Sequence, residues 1–204
     1  MRKLLLIAAV CAATNAFADT GGVLLQIGLG RAQMTQSYDG FGSEKLSGTA
    51  FEVSVLSQQA DSNWRFGLSG GFSADANDDR GNKNSVGYAL GTGAYLFDVG
   101  RYIKPFAELG LGFGGASYDG KFTDTGRRYS ERGRGTALAL SAALGVEAQF
   151  DRWQVGAKYR AITPVSIDET EVCRLWGYAP CDTTHSSIDY ANISFLIFYA
   201  GVKF

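Results

Sequence analysis

From residue 20 onward, apolar residues recur at every second position, the period of a strand with one oily face. The pattern is clearest where Leu138, Leu140, Ala142, Leu144, Val146, Ala148 and Phe150 alternate with Ala139, Ser141, Ala143, Gly145, Glu147 and Gln149. Residues 153–161 repeat it, with Trp153, Val155, Ala157, Tyr159 and Ala161 set against Gln154, Gly156, Lys158 and Arg160. The same period picks out Val23/Leu25/Ile27/Leu29, Phe51/Val53/Val55, Trp64/Phe66/Leu68/Phe72, Val86/Tyr88/Leu90/Ala94/Leu96 and Ala107/Leu109/Leu111/Phe113. The stretch from Tyr190 to Phe204 is apolar on both faces, which leaves its register open. Eight strands of about 9–13 residues result, and roughly 9–11 tilted residues cross a bilayer.

The connections alternate in length. Residues 59–63, 98–104 and 151–152 are short, whereas 34–48, 74–85, 117–134 and 163–188 are long and rich in Gly, Asp, Asn and Arg. Tight turns at one mouth and long loops at the other are the asymmetry of an up-and-down membrane barrel. A soluble sandwich or lipocalin-like barrel also alternates, but it turns its apolar face inward. Such a core rarely sets Glu52, Arg65, Glu108, Glu147, Lys158 and Arg160 mid-strand on the faces opposite the oily ones. Aromatics also cluster at strand ends, with Trp64, Phe150, Trp153 and Phe204 near the short turns and Phe72, Tyr159 and Tyr190 near the long loops. Girdles at two membrane interfaces account for both sets. The sequence therefore predicts an all-β fold, a transmembrane antiparallel up-and-down β-barrel of eight strands with four long external loops.

The N-terminus changes the picture of where the fold begins. Arg2 and Lys3 precede an apolar run from Leu4 to Ala13, and Ala16-Phe17-Ala18 supplies small residues at a cleavage site. This reads as a signal peptide over residues 1–18, cut before Asp19, with residues 19–204 as one barrel domain. A lipoprotein reading at Cys11 is opposed by the bulky Val10 before it. Loss of Arg2 and Lys3 takes the formal net charge from −1 to −3. No basic cluster of the kind that holds nucleic acid is present. The 27 glycines come with 13% aromatic residues and only three prolines, a mixture unlike disordered or collagenous chains.

The last strand ends in Phe204, with Val202, Ala200, Phe198 and Leu196 at alternate positions before it. This resembles the C-terminal signature of bacterial outer-membrane proteins. Together with the signal segment, the chain resembles the small outer-membrane β-barrel family that includes opacity-type proteins, the Ail/OmpX group and the OmpA membrane domain. The resemblance covers residues 21–204 in architecture, and no motif selects one subfamily. It implies export to the Gram-negative outer membrane, contact with its lipids and lipopolysaccharide, and recognition of the last segment by the barrel-assembly machinery. It further implies a choice among adhesion, serum resistance, envelope integrity and small pores. No peptidoglycan-binding domain is expected after the barrel.

With this register the lumen receives Glu52, Glu108 and Glu147 with Arg65, Lys158 and Arg160, three charges of each sign. Unpaired charge there is costly, so the balance predicts a filling ion-pair network rather than an ion path. Turn 151–152 sets Glu147 diagonal to Lys158. Gly28, Gly30, Gly67, Gly71, Gly87, Gly91, Gly93, Gly110, Gly112, Gly114 and Gly145 are expected on the same inner face. They either make room for Tyr95, Phe97, Phe195 and Tyr199 or leave a narrow water-filled cavity.

Cys173 and Cys181 lie close together in the longest loop, and export to an oxidising compartment predicts a disulfide, with two free thiols as the alternative. Between them, Arg174, Trp176 and Tyr178 are residue types that dominate binding hot spots, although aromatics there could equally pack on the rim. Loop 117–134 carries Lys121, Arg127, Arg128, Arg132 and Arg134 against Asp119, Asp124 and Glu131, a surface for lipopolysaccharide phosphates or anionic glycans, or simply a solvated loop. His185 with Ser186, Ser187 and Glu169, Glu171 or Asp182 is the best candidate for lipid-modifying chemistry, but it sits at a loop end outside any known strand motif. No metal or organic cofactor motif is present. The leading expectation is a non-enzymatic surface barrel whose loops contact host or surface ligands, ahead of a narrow pore and a lipid-modifying enzyme. The intact mass of the purified chain is expected to begin at Asp19, and a rise of two hydrogens on reduction would mark a bridged Cys173–Cys181 pair.

Overall fold

The computed structural model describes residues 22–204 apart from 39–40, 59–61, 75, 78–80, 101, 125–126, 175–180 and 185–186. The expected signal segment, residues 1–18, and His185, Trp176 and Tyr178 lie outside the described residues. The described strands are β1 (Val23–Tyr38), β2 (Phe41–Gln58), β3 (Trp64–Ala74), β4 (Ala76–Asn77), β5 (Lys83–Leu96) and β6 (Ile103–Asp124). They continue with β7 (Arg127–Phe150), β8 (Trp153–Ile162), β9 (Val165–Ile167), β10 (Thr170–Arg174), β11 (Asp182–Thr184) and β12 (Ile188–Lys203).

Eight of these, β1, β2, β3, β5, β6, β7, β8 and β12, pair antiparallel in a closed ring. The seam is shut by β1 against β12, where Val23 and Phe204 exchange backbone hydrogen bonds of 3.2 and 2.9 Å. Paired residues lead from Leu29 through Phe51, Phe72, Gly87 and Gly115 to Thr136 on β7. The other way round, through Phe198 and Ala157, they reach β7 at Val146, ten residues further along. Eight strands with that stagger tilt by about 40° and enclose room for side chains only.

The outer face carries the oily rows. Leu109, Leu138 and Leu144 are each about two-thirds exposed or more, as are Phe113 and Phe204, so the surface seeks hydrocarbon rather than water. Inside, the half near the long hairpins is apolar, filled by Met34, Leu46, Val86, Val165, Ile167, Ile188, Ile193 and Phe195. Glycines here make space for neighbours. A Cβ on Gly145 would collide with the Phe106 ring, and one on Gly156 would lie 2.6 Å from the Tyr199 ring.

Three expectations are corrected. First, β5 is turned over: Val86, Tyr88, Leu90, Ala94 and Leu96 are buried in the lumen, while Gly87, Gly91, Gly93 and Tyr95 face outward. Large residues lie on one face of this strand and small ones on the other, and the small face is the outer one because β3 covers it. Phe66 lies 3.2 Å from where a Gly93 Cβ would sit, and Trp64 meets Tyr95 at 5.0 Å between centroids. Tyr95 therefore does not share the lumen, and Phe97 beyond the strand is exposed. Second, Tyr190 is fully buried rather than part of the outer girdle. A bulge puts an extra residue of β12 opposite the step from Gln33 to Thr35, with Asn192 at φ 51°, and this reverses the facing parity beyond it.

Third, the long connections are largely paired. β1 and β2 stay in register to Ser37↔Ser43 and, past a one-residue irregularity, pair on to Tyr38↔Phe41, while β6 and β7 stay in register to Asp124↔Arg127. Within residues 163–188, β9 pairs with β12, β10 with β7, and β11 with β10. β8 and β10 share one register on β7, and the ladder is interrupted around Pro164, which has no N–H to give. Turn 151–152 is as expected, with Asp151 at φ 53° between the paired Phe150 and Trp153.

The flipped β5 separates two glycine substitutions. Gly145→Val, which collides with Phe106, is expected to destabilise the barrel by about 1–3 kcal/mol. Gly91→Ala, whose Cβ would have only an ordinary contact at 3.7 Å, is expected to be near neutral. Urea titration in lipid vesicles, followed by tryptophan fluorescence, measures both.

Candidate functional site

The six charges assigned to the lumen all point into it, on β2, β3, β6, β7 and β8, and each side chain is at most 4% exposed. They form two clusters. Near the short-turn mouth, Arg65 forks onto Glu147 across the barrel, with Nη1 and Nη2 each donating at 2.8 Å. Glu147 also accepts from Gln149 at 2.6 Å and from the Tyr199 hydroxyl at 3.1 Å, while Arg65 Nε donates to Gln58 at 3.1 Å.

The second cluster fills mid-lumen. Lys158 Nζ lies 2.5 Å from Glu52 and 3.6 Å from Glu108. Arg160 bridges the same two carboxylates, with Nε 3.2 Å from Glu52 and Nη2 2.6 Å from Glu108, and gives Nη1 to Ser141 at 3.2 Å. Tyr88 donates its hydroxyl to Glu52, and Ser54 does so at 3.0 Å. From Ser54 a hydroxyl chain runs through Ser69 to Thr92 at 2.9 and 3.4 Å. Arg160 and Lys158 also stand over the Tyr88 and Tyr199 rings, 5.1 and 5.6 Å from the centroids.

Two cations against two anions in one cluster, and one against one in the other, leave no net buried charge. Among the described residues, none of the six leaves a buried nitrogen or oxygen unpartnered. Charges so desolvated persist only when each is paired and hydrogen-bonded. Glu147 is diagonal to Lys158, as the turn dictates, but Lys158 pairs with Glu52 and Glu108 instead, because the stagger brings β2 and β6 to it across the lumen. Sequence reasoning passed over Tyr88, which it placed on the outer face, and the Ser54–Ser69–Thr92 chain. The inward parity of Ser54 beside Glu52 was the available signal.

The external candidates are placed only in part. Cys173 and Cys181 form a disulfide beside the β10–β11 hairpin. Arg174 ends β10 opposite Tyr129, and Arg127 opens β7 opposite Asp124, but their side chains lie outside the described residues. Arg128 is exposed, and Arg132 pairs with Asp119 at 3.4 Å. Leu196, Phe198, Ala200 and Val202 line the outer face of β12, and Phe204 is exposed at its end.

This architecture is that of a small outer-membrane barrel, and comparison with known proteins agrees. The chain belongs to the family described as the outer membrane protein beta-barrel domain, which matches residues 4–199. Among solved structures it is similar to Neisserial surface protein A, at 17% identity and TM-score 0.54, covering 89% of this chain and 97% of that one. It is similar also to a major outer membrane protein from Thermus thermophilus, at 10% identity and TM-score 0.57, covering 90% and 99%. A third likeness is to the outer membrane protease OmpT from Escherichia coli, at 10% identity and TM-score 0.54, covering 90% and 97%. These identities establish the fold alone. No curated protein matches the sequence. The protein resides in the outer membrane of a Gram-negative bacterium.

Removing one member of a buried pair should cost far more than removing both. Glu147→Leu alone, which strands Arg65, is expected to destabilise by about 3–5 kcal/mol, and Arg65→Leu with Glu147→Leu by much less. A double-mutant cycle by urea titration in vesicles gives the coupling.

Proposed function

We propose that the protein is a non-conducting, non-enzymatic surface barrel whose activity lies in the ribbons above the membrane, which present side chains to host or surface ligands. The observation that carries this reading is the lumen, filled by two ion-pair clusters and an apolar layer above them. An ion or solute would have to break those pairs to pass.

The ribbons supply the surface. Beyond Phe113↔Leu138, β6 and β7 run eleven further pairs to Asp124↔Arg127, or about 35 Å along the strands. This ribbon shows Lys121, Arg128, Arg132 and Arg134 to solvent. The disulfide closes a second short loop that carries Arg174, Trp176 and Tyr178 as candidate contact residues. Likeness to a protein named for its surface location, Neisserial surface protein A, supports display rather than transport.

Planar-bilayer recordings are expected to show no steady nanosiemens openings, and lipid A from cells with and without the gene to carry the same acyl chains and phosphates. Grafting residues 117–134 and 163–188 onto an unrelated eight-stranded barrel should transfer cell or matrix binding. Steady conductance, altered lipid A, or binding that stays behind with the barrel body each overturns the proposal.

A further inference from the structure

The outer face is not uniformly oily. On β1, β2 and β12 the apolar rows stop at Leu29, Phe51 and Leu196, and the next outward positions are Arg31 and Thr49, then Gln33, Ser47 and Ser194, then Thr35 and Lys45. The polar residues among these, Thr49 excepted, line with Tyr159 and Asn192 a basin of about 580 Å³ on the lipid-facing wall toward the long hairpins. Arg31 donates to Ser47 at 2.9 Å, and Asn192, turned outward by the bulge, donates to Thr35 at 3.4 Å. Arg31 and Lys45 are both exposed, and among the described residues neither has a carboxylate partner. The nearest outward carboxylate on β12, Asp189, stands higher, opposite Ser37.

Two unpaired cations at the edge of a hydrocarbon belt are unfavourable without an anion beside them. We propose that this basin holds the head group of a bisphosphorylated glycolipid of the lipid A type, in the external leaflet. Three features select that ligand. The basin opens downward onto Leu29, Phe51, Leu196 and Phe198, so its ligand must be an amphiphile with acyl chains below and anions above. Phosphate suits Arg31 as a forked donor and Lys45 as a point charge, with the hydroxyl and amide groups between them within reach of sugar hydroxyls. Lys45 pairs with Thr35, four residues beyond Arg31, which sets the two cations about 13 Å apart along the wall. Phosphates at the two ends of a glucosamine disaccharide span that distance, and a single phosphodiester does not.

The test uses the folded full-length protein in detergent, with native mass spectrometry and fluorescence competition against lipid A, monophosphoryl lipid A and phosphatidylglycerol. Arg31→Gln and Lys45→Gln are each expected to weaken lipid A binding about tenfold. Monophosphoryl lipid A should bind wild type about tenfold more weakly and lose its response to one of the two substitutions. Lys83→Gln, at an exposed cation on β5 outside the basin, should leave binding unchanged. Circular dichroism and heat-modifiable gel mobility establish that each variant is folded. Unchanged lipid A binding in the Arg31→Gln/Lys45→Gln double variant overturns the site. Phosphatidylglycerol binding as tight as lipid A, with the same response to both substitutions, overturns the ligand.

Discussion

Hydrocarbon offers no partner to a peptide group, so every strand that crosses it must be bonded on both sides. In this protein that demand is met by eight strands and a stagger of ten residues, and most other features follow from the resulting width. The lumen is too narrow for bulk water and too wide to be left empty. Its residues must therefore fill space, and any that carry charge must find a partner within the ring.

Replacing the ion pairs with apolar residues of similar volume would satisfy the same demand, since a buried pair seldom outperforms a well-packed core. What the pairs add is discrimination between registers. A one-residue slip of β7 would turn Glu147 toward lipid and strand Arg65, and a slip of β8 would expel Lys158 and Arg160 together. The two clusters join strands that are not neighbours, β3 to β7 and β2 or β6 to β8. They tie together opposite walls that the backbone ladder alone leaves independent.

The strand number, the membrane-facing rows of β7 and β8, and the inward set of six charges were legible in the sequence because there the oily face is large and the opposite face polar. β5 was not, since its two faces differ in size rather than polarity, and the choice depends on Phe66 and Phe72 leaning over from β3. Tyr190 was misread because a bulge leaves no mark in hydropathy yet inverts parity for everything beyond it. The ribbons were read as loops because Gly, Asp and Asn signal turns, whereas cross-strand pairs such as Ser85 with Ser117, at 2.8 Å, continue the ladder regardless. Which charge meets which was beyond reach for a different reason. Partners across a lumen are fixed by the stagger, a property of the closed ring that no single hairpin contains.

The seam between β1 and β12 has a kinetic meaning. Its partners lie at opposite ends of the described chain, so the contact that completes the ring is also the one of greatest sequence separation. Until β12 arrives, β1 and β8 are bare edges, each able to recruit a strand from another molecule. A chain stalled at that stage is a template for aggregation, so whatever escorts it to the membrane must guard two edges at once and release them together.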